Sequence, residues 1–251
     1  MPNDKSPGPD GLPAEFYKHF WDIFSPLFNR LLAEIQTTSN IPTHMNTALI
    51  TLFLKPNKDP THPSSYRPLS LINTDLKIIT KTLSTRIETV MQALIHPDQT
   101  GFIKNRHASD NIRRLFNLIS IAQGQKQKTI IIVSLDAEKA FDKDNWTFLF
   151  STLRKFGFGE SFIQWITTLY TSPRATIVTN GITSPSFTLH QGTRQGCPLS
   201  TSLFAIFIEP LAAAIRQNSK IKGIQINNSQ HKISLYADDL LLYLQTPSLT
   251  Q

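Results

Sequence analysis

Two adjacent carboxylates, Asp238 and Asp239, lie between two short apolar segments. Residues 233–235 precede them and residues 240–242 follow, a pattern that predicts a strand, an acidic turn and a second strand. Like charges held this close repel and raise each other's pKa, and a divalent cation relieves the repulsion. The pair therefore predicts a metal site at the tip of a hairpin.

A third carboxylate strengthens that interpretation, because solvated acidic pairs at turns are common on their own. Asp136 follows directly after the β-branched run at residues 130–135. If that strand pairs with the hairpin, Asp136 and Asp238 converge, and two strands ending in carboxylates are what two-metal phosphoryl transfer requires. We expect these two residues to bridge two Mg²⁺ ions about 4 Å apart, with Asp239 supporting the site or binding metal more weakly.

The composition sets limits on the kind of protein. The chain has 251 residues, of which 40% are hydrophobic and 17% charged, enough for a real core and unlike a disordered chain. Its net charge of +7 fits either a basic surface or a polyanion partner. The single cysteine, Cys197, excludes an internal disulfide, and no targeting signal is evident. We expect an intracellular protein of the nucleus or cytoplasm, without a membrane partner.

Hydrophobic periodicity gives the elements that must position these acids. Helices are predicted at residues 16–35, 75–95, 111–122, 145–156, 162–170 and 199–215. Strands are predicted at residues 47–54, 129–135, 175–179, 186–190, 222–226 and 233–244. We expect residues 55–67 to form a basic loop, Asn180-Gly181 to join the third and fourth strands, and the strand at residues 129–135 to be covered on both faces.

This order of elements predicts an α+β fold in which an antiparallel sheet packs on helices. The composition changes near residues 123–125. We therefore expect a mostly helical, basic lobe at residues 1–124 and a catalytic lobe at residues 125–251.

Three motifs in order resemble the catalytic palm motifs of reverse transcriptases. They are Ser-Leu-Asp-Ala-Glu-Lys-Ala-Phe-Asp at residues 134–142, Gly-Thr-Arg-Gln-Gly-Cys-Pro-Leu-Ser at residues 192–200 and Tyr-Ala-Asp-Asp at residues 236–239. The segments at residues 5–11 and 66–71 are similar to the non-LTR (LINE-type) retrotransposon branch. Together the motifs span nearly the whole chain, and such an ordered set is far more specific than one Tyr-x-Asp-Asp.

The resemblance implies a right-hand polymerase fold, with fingers at residues 1–124 and palm at residues 125–251. It implies an RNA-directed DNA polymerase that takes an RNA template, a DNA primer, dNTPs and two Mg²⁺ ions, for which Mn²⁺ can substitute. Asp136, Asp238 and Asp239 match its catalytic aspartates. The ring of Phe141 matches the residue that lies under the incoming sugar and excludes a 2′-hydroxyl. Outside this context Phe141 is interpreted as core packing.

The remaining matched residues contact the nucleotide or the template. Gln195 and Gly196 match the turn that packs against the nascent base pair, and Lys55 and Arg67 match fingers residues that reach the triphosphate. Outside this context the two cations are interpreted as solvated loop charges. A basic cluster that contains Lys104 and Arg106 is expected to touch the template backbone. Asp144 departs from the usual motif, and we expect only a local effect.

The chain stops at Gln251, whereas members of this family continue into a primer-gripping hairpin and a thumb. We therefore expect a fragment of a larger retrotransposon polyprotein, with the thumb missing. Three hypotheses stand: a polymerase core, a non-catalytic nucleic-acid-binding remnant and a metal-dependent nuclease. Phe141, Arg67 and the Gln195-Gly196 turn favour the first over the third, because a nuclease needs no pocket for selecting nucleotides. The intact acidic residues slightly favour the first hypothesis over the second, whereas the missing thumb favours the second. The oligomeric state is left open.

Overall fold

Segments whose apolar residues recur three or four positions apart form helices in the structure. A computed structural model describes residues 1–124, 130–137, 140–226 and 228–245. The α-helices in this part of the chain are α1 (Ala14–His19), α2 (Trp21–Thr38), α3 (Thr74–Leu94), α4 (Ala108–Gly124), α5 (Trp146–Lys155), α6 (Glu160–Leu169) and α7 (Ser200–Gln217). The predicted helices are confirmed, and the first divides at Phe20 into α1 and α2.

The strands follow the β-branched and aromatic segments. They are β1 (Thr47–Leu54), β2 (Tyr66–Leu71), β3 (Ile130–Asp136), β4 (Arg174–Thr179), β5 (Ile182–Thr183), β6 (Phe187–Thr188), β7 (Ile224–Ile226), β8 (Ser229–His231), β9 (Ile233–Tyr236) and β10 (Asp239–Gln245). β7 and β8 pair with each other as a short antiparallel ribbon.

The chain forms two compact units that alternate along the sequence. The first unit comprises Met1–Thr85 and Phe141–Ser200, and the second unit comprises Arg86–Ala140 and Thr201–Gln251. These bounds differ from the expected lobes at residues 1–124 and 125–251, and that division into fingers and palm stays a prediction.

The first unit contains a five-stranded sheet in the order β2-β1-β4-β5, with β6 also paired to β4. β1 is antiparallel to β2 and parallel to β4. The predicted loop at residues 55–67 was wrong at its end, because Tyr66 pairs with Leu54 and begins β2. The turn at Asn180-Gly181 joins β4 to β5 instead of to residues 186–190, of which Phe187–Thr188 forms β6.

The second unit contains the antiparallel sheet β3-β10-β9 between two helices. Alternate residues of β10 enter different clusters, as the two-residue period of a strand requires. Leu240 packs with Ala212 of α7, and Tyr243 packs with Leu118 of α4. The predicted antiparallel sheet packed on helices is confirmed.

The expectation that β3 is covered on both faces is wrong. β3 lies at the end of the strand order, and Ile131 and Leu135 are 44% and 47% exposed. A continuous β-branched run shows that a segment prefers a strand, and it does not show how many neighbours the strand will have. In the segments that the structure describes, no helix combines the length and hydrophobicity that a bilayer crossing requires.

Candidate active site

The acidic tetrapeptide forms a two-residue hairpin turn in the second unit. Tyr236 ends β9 and pairs with Asp239, which begins β10, so Ala237 and Asp238 are the central residues of the turn. Ala237 has a φ of +56°, whereas Asp238 is not among the residues with positive φ. Positive φ at the first central position alone is the pattern of a type II′ turn, in which glycine is usual. An alanine in left-handed backbone costs about 1–2 kcal/mol.

The turn places the acids of two strands together. Asp136, the last residue of β3, lies directly opposite Asp239 in the antiparallel register. Directly opposed residues share one face of a sheet, with Cβ atoms about 4.5–5.5 Å apart. The expectation that β3 pairs with the acidic hairpin is therefore confirmed, and Asp238 lies at the adjoining tip.

The electrostatics show that Asp239 interacts with both of the other carboxylates. Partial burial, then repulsion from Asp238 and from Asp136, raises the pKa of the Asp239 carboxyl above its ordinary value. A bound cation of charge two would reverse this repulsion, because opposite charge favours the ionised carboxylate.

The donor set fits a hard divalent cation. Asp136, Asp238 and Asp239 offer carboxylate oxygens, the ligands that Mg²⁺ and Mn²⁺ prefer. Among the described residues, no group of three or more His, Cys, Asp or Glu side chains is arranged to hold a metal ion by itself. Mg²⁺ takes one or two protein carboxylates and completes its shell with water and substrate phosphates.

A buried segment at residues 98–101 supports the hairpin, and sequence reasoning missed it. Its backbone lies beside β9: the Leu235 N–H donates to the Asp98 carbonyl at 2.8 Å, and the Thr100 N–H donates to the Leu235 carbonyl at 2.9 Å. Between them, the Gln99 side chain is fully buried and bonds to the main chain of Ala237. The available signal was Gly101, since an isolated glycine often marks a close backbone approach.

The expected template contacts, Lys104 and Arg106, differ in their surroundings. The Lys104 side chain is exposed. The Arg106 guanidinium donates to four main-chain carbonyls at and beyond the end of α3, at 2.7–3.1 Å; they belong to Gln92, Ile95, His96 and Gln99. Arg106 therefore fastens the end of this helix, and its contact with template stays a prediction.

In the first unit, Phe141 lies where the first and second motifs meet. The Thr193 N–H donates to the Phe141 carbonyl at 2.6 Å, and the Gly192 N–H donates to the Asp144 carbonyl at 2.8 Å. The half-buried Phe141 and Gln195 line a cleft of about 460 Å³.

Asp144 does more than the local effect expected of it. Its side chain is 1% exposed and accepts the Thr193 hydroxyl at 3.0 Å, which links the two motifs. Burial, opposed by the Thr193 hydrogen bond and reinforced by the nearby Asp142 charge, raises the pKa of Asp144 to about 6.

The Gln195-Gly196 turn lies against β2. The Ser70 N–H donates to the Gln195 carbonyl at 2.8 Å. Gly196 has a φ of +105°, and a Cβ there would lie 2.6 Å from the Ser70 carbonyl oxygen. Only glycine suits this conformation and this close approach. The packing of the turn against β2 therefore requires Gly196, apart from the predicted contact of the turn with the base pair.

The two predicted triphosphate ligands lie at the end of the β1–β2 pair that the loop at residues 55–65 connects. Arg67 is exposed and pairs with Phe53 in the ladder. Lys55 follows β1, and its ammonium donates to the Ser64 carbonyl at 3.0 Å. Their roles toward nucleotide stay predictions.

Comparison with known proteins gives the family. The family model described as "Reverse transcriptase (RNA-dependent DNA polymerase)" matches residues 54–251. The chain is 34% identical over 98% of its length to the Transposon TX1 uncharacterized 149 kDa protein of Xenopus laevis. It is 26% identical over 96% of its length to the retrovirus-related Pol polyprotein from the type-2 retrotransposable element R2DM of Drosophila melanogaster. The chain spans 19% and 22% of these two relatives.

The fold has a solved counterpart. A telomerase from Candida tropicalis, solved with a fragment of telomeric RNA, superposes with a TM-score of 0.59 at 10% identity, over 90% of this chain and 40% of that one. This likeness confirms the predicted right-hand polymerase fold. The family match over residues 54–251 shows that the chain belongs to the reverse transcriptase (RNA-dependent DNA polymerase) family.

Proposed function

We propose that this chain is the catalytic core of an RNA-directed DNA polymerase, which extends a DNA primer along an RNA template with dNTPs. The observation that carries the proposal is the carboxylate cluster of the second unit. Asp136 and Asp239 lie opposite each other in the β3–β10 ladder, and Asp238 lies at the tip of the adjoining turn.

Asp136 and Asp238 are proposed to hold two Mg²⁺ ions, with Asp239 supporting them. Bound Mg²⁺ supplies positive charge that lowers the pKa of the primer 3′-hydroxyl and stabilises the departing pyrophosphate. Partial burial, and then repulsion from Asp238 and Asp136, raise the pKa of Asp239, and a cation bound at this place would relieve that repulsion. Mn²⁺ prefers the same oxygen donors and is expected to substitute.

The first unit is proposed to select and orient the nucleotide. Phe141 and Gln195 line one cleft, which suits a ring under the incoming sugar and a turn against the nascent base pair. Gly196 lets that turn approach β2 closely. Arg67 offers an exposed guanidinium for the triphosphate, with Lys55 as a weaker contact.

Template binding is proposed to use the basic surface. The net charge of +7 suits a phosphate backbone, and the telomerase with this fold was solved with an RNA fragment. Lys104, with its exposed ammonium, is the better candidate for this contact, since the donors of Arg106 already bond to carbonyls.

The test is primer extension on an RNA template with dNTPs and Mg²⁺, which compares the chain with Asp238→Asn. We expect the variant to lose about three orders of magnitude in rate, since removal of a metal ligand withdraws about 4 kcal/mol of transition-state stabilisation. Asp22→Asn, which changes an exposed acid on α2, is the matched control and should extend normally.

Other outcomes distinguish the rival functions. Salt-sensitive template binding without extension by either protein would identify a nucleic-acid-binding remnant. Mg²⁺-dependent degradation of primer or template, lost in Asp238→Asn, would identify a nuclease. Extension by Asp238→Asn at the parent rate would remove the carboxylate cluster from the mechanism.

A further inference from the structure

Gln99 bonds to both polar main-chain groups of the residue that precedes Asp238. Its Oε1 accepts the Ala237 N–H at 3.1 Å, and its Nε2 donates to the Ala237 carbonyl at 3.2 Å. Gln99 is 0% exposed, so water does not compete for these bonds. The side chain therefore fixes the orientation of the peptide group that leads into Asp238.

The amide orientation of Gln99 follows from its partners. The Gly101 N–H also donates to Oε1, at 2.8 Å, so this atom faces two donors and must be the oxygen. A glutamine satisfies two N–H groups and one carbonyl at once. A glutamate lacks the donor, and a methionine of similar size lacks both functions.

The turn at Ala237 needs such support because the backbone conformation there is unfavourable for alanine. Ala237 has a φ of +56°, a region that glycine enters readily and that other residues enter at a cost. Without that support, the peptide groups on either side of Ala237 would rotate toward the negative φ that alanine usually adopts. That rotation would move the Cα of Asp238 and the direction of its carboxylate.

The backbone of residues 98–101 lies close enough to act as a rigid base for Gln99. A Cβ on Gly101 would lie 2.1 Å from the Ala237 nitrogen, so the two main chains are in direct contact. Asn111 attaches the same segment to β9, since its Nδ2 donates to the Leu235 carbonyl and to the Thr100 hydroxyl, both at 2.8 Å. Asn111 holds the strand, whereas Gln99 alone of these two amides touches the turn.

We propose that Gln99 is a positioning residue for Asp238. Gln99 holds the left-handed Ala237 turn in the geometry in which Asp238 binds metal. The inference rests on the proposed function, because it assigns Gln99 a task toward a proposed metal ligand. Residues on β9 and β10 build the hairpin, and Gln99 sets the direction of its tip.

The test measures Mn²⁺ binding to the 251-residue chain without substrate, by electron paramagnetic resonance of the free ion. Gln99→Met is expected to weaken Mn²⁺ binding about tenfold, the loss typical when support of a metal ligand is removed. Asn111→Leu is the matched control, since it removes a buried amide bonded to the same strand. It should change the Mn²⁺ affinity less than about twofold, although both variants lower the melting temperature.

A second substitution separates positioning from general damage. Adding Ala237→Gly to Gln99→Met should restore Mn²⁺ binding to within about threefold of the parent, because glycine adopts positive φ without support. Equal loss of Mn²⁺ affinity in Gln99→Met and Asn111→Leu, or no recovery with Ala237→Gly, would overturn the inference.

Hydrogen exchange on the unaltered chain covers the case in which Gln99→Met does not fold. The Ala237 amide should be as protected as the amides of β9, although it lies in a two-residue loop. Fast exchange at Ala237 would overturn the inference.

Asp238→Asn separates failure of this inference from failure of the proposed function. Unchanged Mn²⁺ affinity in Asp238→Asn would reject the metal site itself. Loss of binding in Asp238→Asn, with parent-like binding in Gln99→Met, would reject the positioning role alone.

Discussion

The tip of the β9–β10 hairpin and the loop end of the β1–β2 pair both carry charged residues predicted to act on the nucleotide, yet they are built differently. Ala237, at the first tip, is 4% exposed and bonded through its N–H and its carbonyl to a buried side chain. At the second end, Arg67 is exposed, and Phe53 and Leu54 are 55% and 46% exposed.

This difference matches what each charge has to do. A carboxylate that shares metal ions tolerates only small errors in position, because coordination distances are short and directional. A guanidinium on a long side chain can reorient to reach a phosphate, and Arg67 keeps that freedom. The rigid part of the proposed site is therefore the hairpin, and the adaptable part is the cation.

The largest expected effect tests the rigidity of the hairpin. Gly101→Ala should lower the free energy of unfolding by about 3 kcal/mol or more, because its Cβ would lie 2.1 Å from the Ala237 nitrogen and neither main chain can yield cheaply. Urea denaturation measures this change. Gly124→Ala is the control, since no atom of the described residues lies within 4 Å of a Cβ there and alanine suits the end of α4. Equal stabilities of the two variants would show that the hairpin is not tightly seated.

A smaller, pH-dependent effect tests whether the first unit also contains a rigid point. In the native state the pKa of the buried Asp144 is raised to about 6, above its ordinary value of 3.8. The contribution of Asp144 to the free energy of unfolding is therefore fully present below about pH 4 and is lost as the pH rises through about 6. Asp144→Asn does not ionise, so between about pH 4 and pH 7.5 its unfolding free energy relative to the parent should rise by about 2–3 kcal/mol.

Thermal or urea unfolding at several pH values measures this gap between Asp144→Asn and the parent. The exposed-acid variant Asp22→Asn should show no such trend. A constant difference between Asp144→Asn and the parent across the pH range would mean that Asp144 is solvated and does not fasten the two motifs.

The smallest effect on stability is expected at Arg67, the adaptable part of the proposed site, where we also expect a clear effect on kinetics. Arg67→Ala should raise the KM for dNTP about tenfold, the value of one charge-assisted contact, and leave the melting temperature unchanged because Arg67 is exposed. Lys55→Ala should change the KM less, since its ammonium already bonds to the Ser64 carbonyl. Lys58→Ala is the control cation in the same loop. A lower melting temperature in Arg67→Ala would contradict the comparison of rigid and adaptable ends.

The local sequence pattern was sufficient to predict much of the fold and the acidic residues of the site. β1 has the predicted bounds of residues 47–54, and α3 differs by one residue at each end from residues 75–95. Pairing of β3 with the acidic hairpin could be predicted because each strand ends in a carboxylate and has a continuous apolar run. The bounds of the helices and strands depend on neighbours in sequence, which is the information that periodicity carries. The pairing of β3 with the hairpin joins distant residues, and it was inferred from what a two-metal site requires.

The parts that could not be predicted depend on distant partners. Gln99 bonds to a residue 138 positions away, within a polar segment typical of a loop. Arg106 was interpreted by its charge, whereas its partners are carbonyls at and beyond the end of a helix, groups that every residue has. The sequence around Asp144 did not indicate that this residue is buried, because its partner Thr193 lies 49 positions away.

The alternation of the two compact units along the chain has a consequence for how the protein is made. The chain passes from one unit to the other near residues 85, 140 and 200. A ribosome therefore releases the first half of each unit long before the second half exists, and neither can complete its core from an early nascent fragment. We expect the emerging polypeptide to depend on chaperones until the segment after residue 200 has left the exit tunnel, and folding to be slow because its contacts join distant segments.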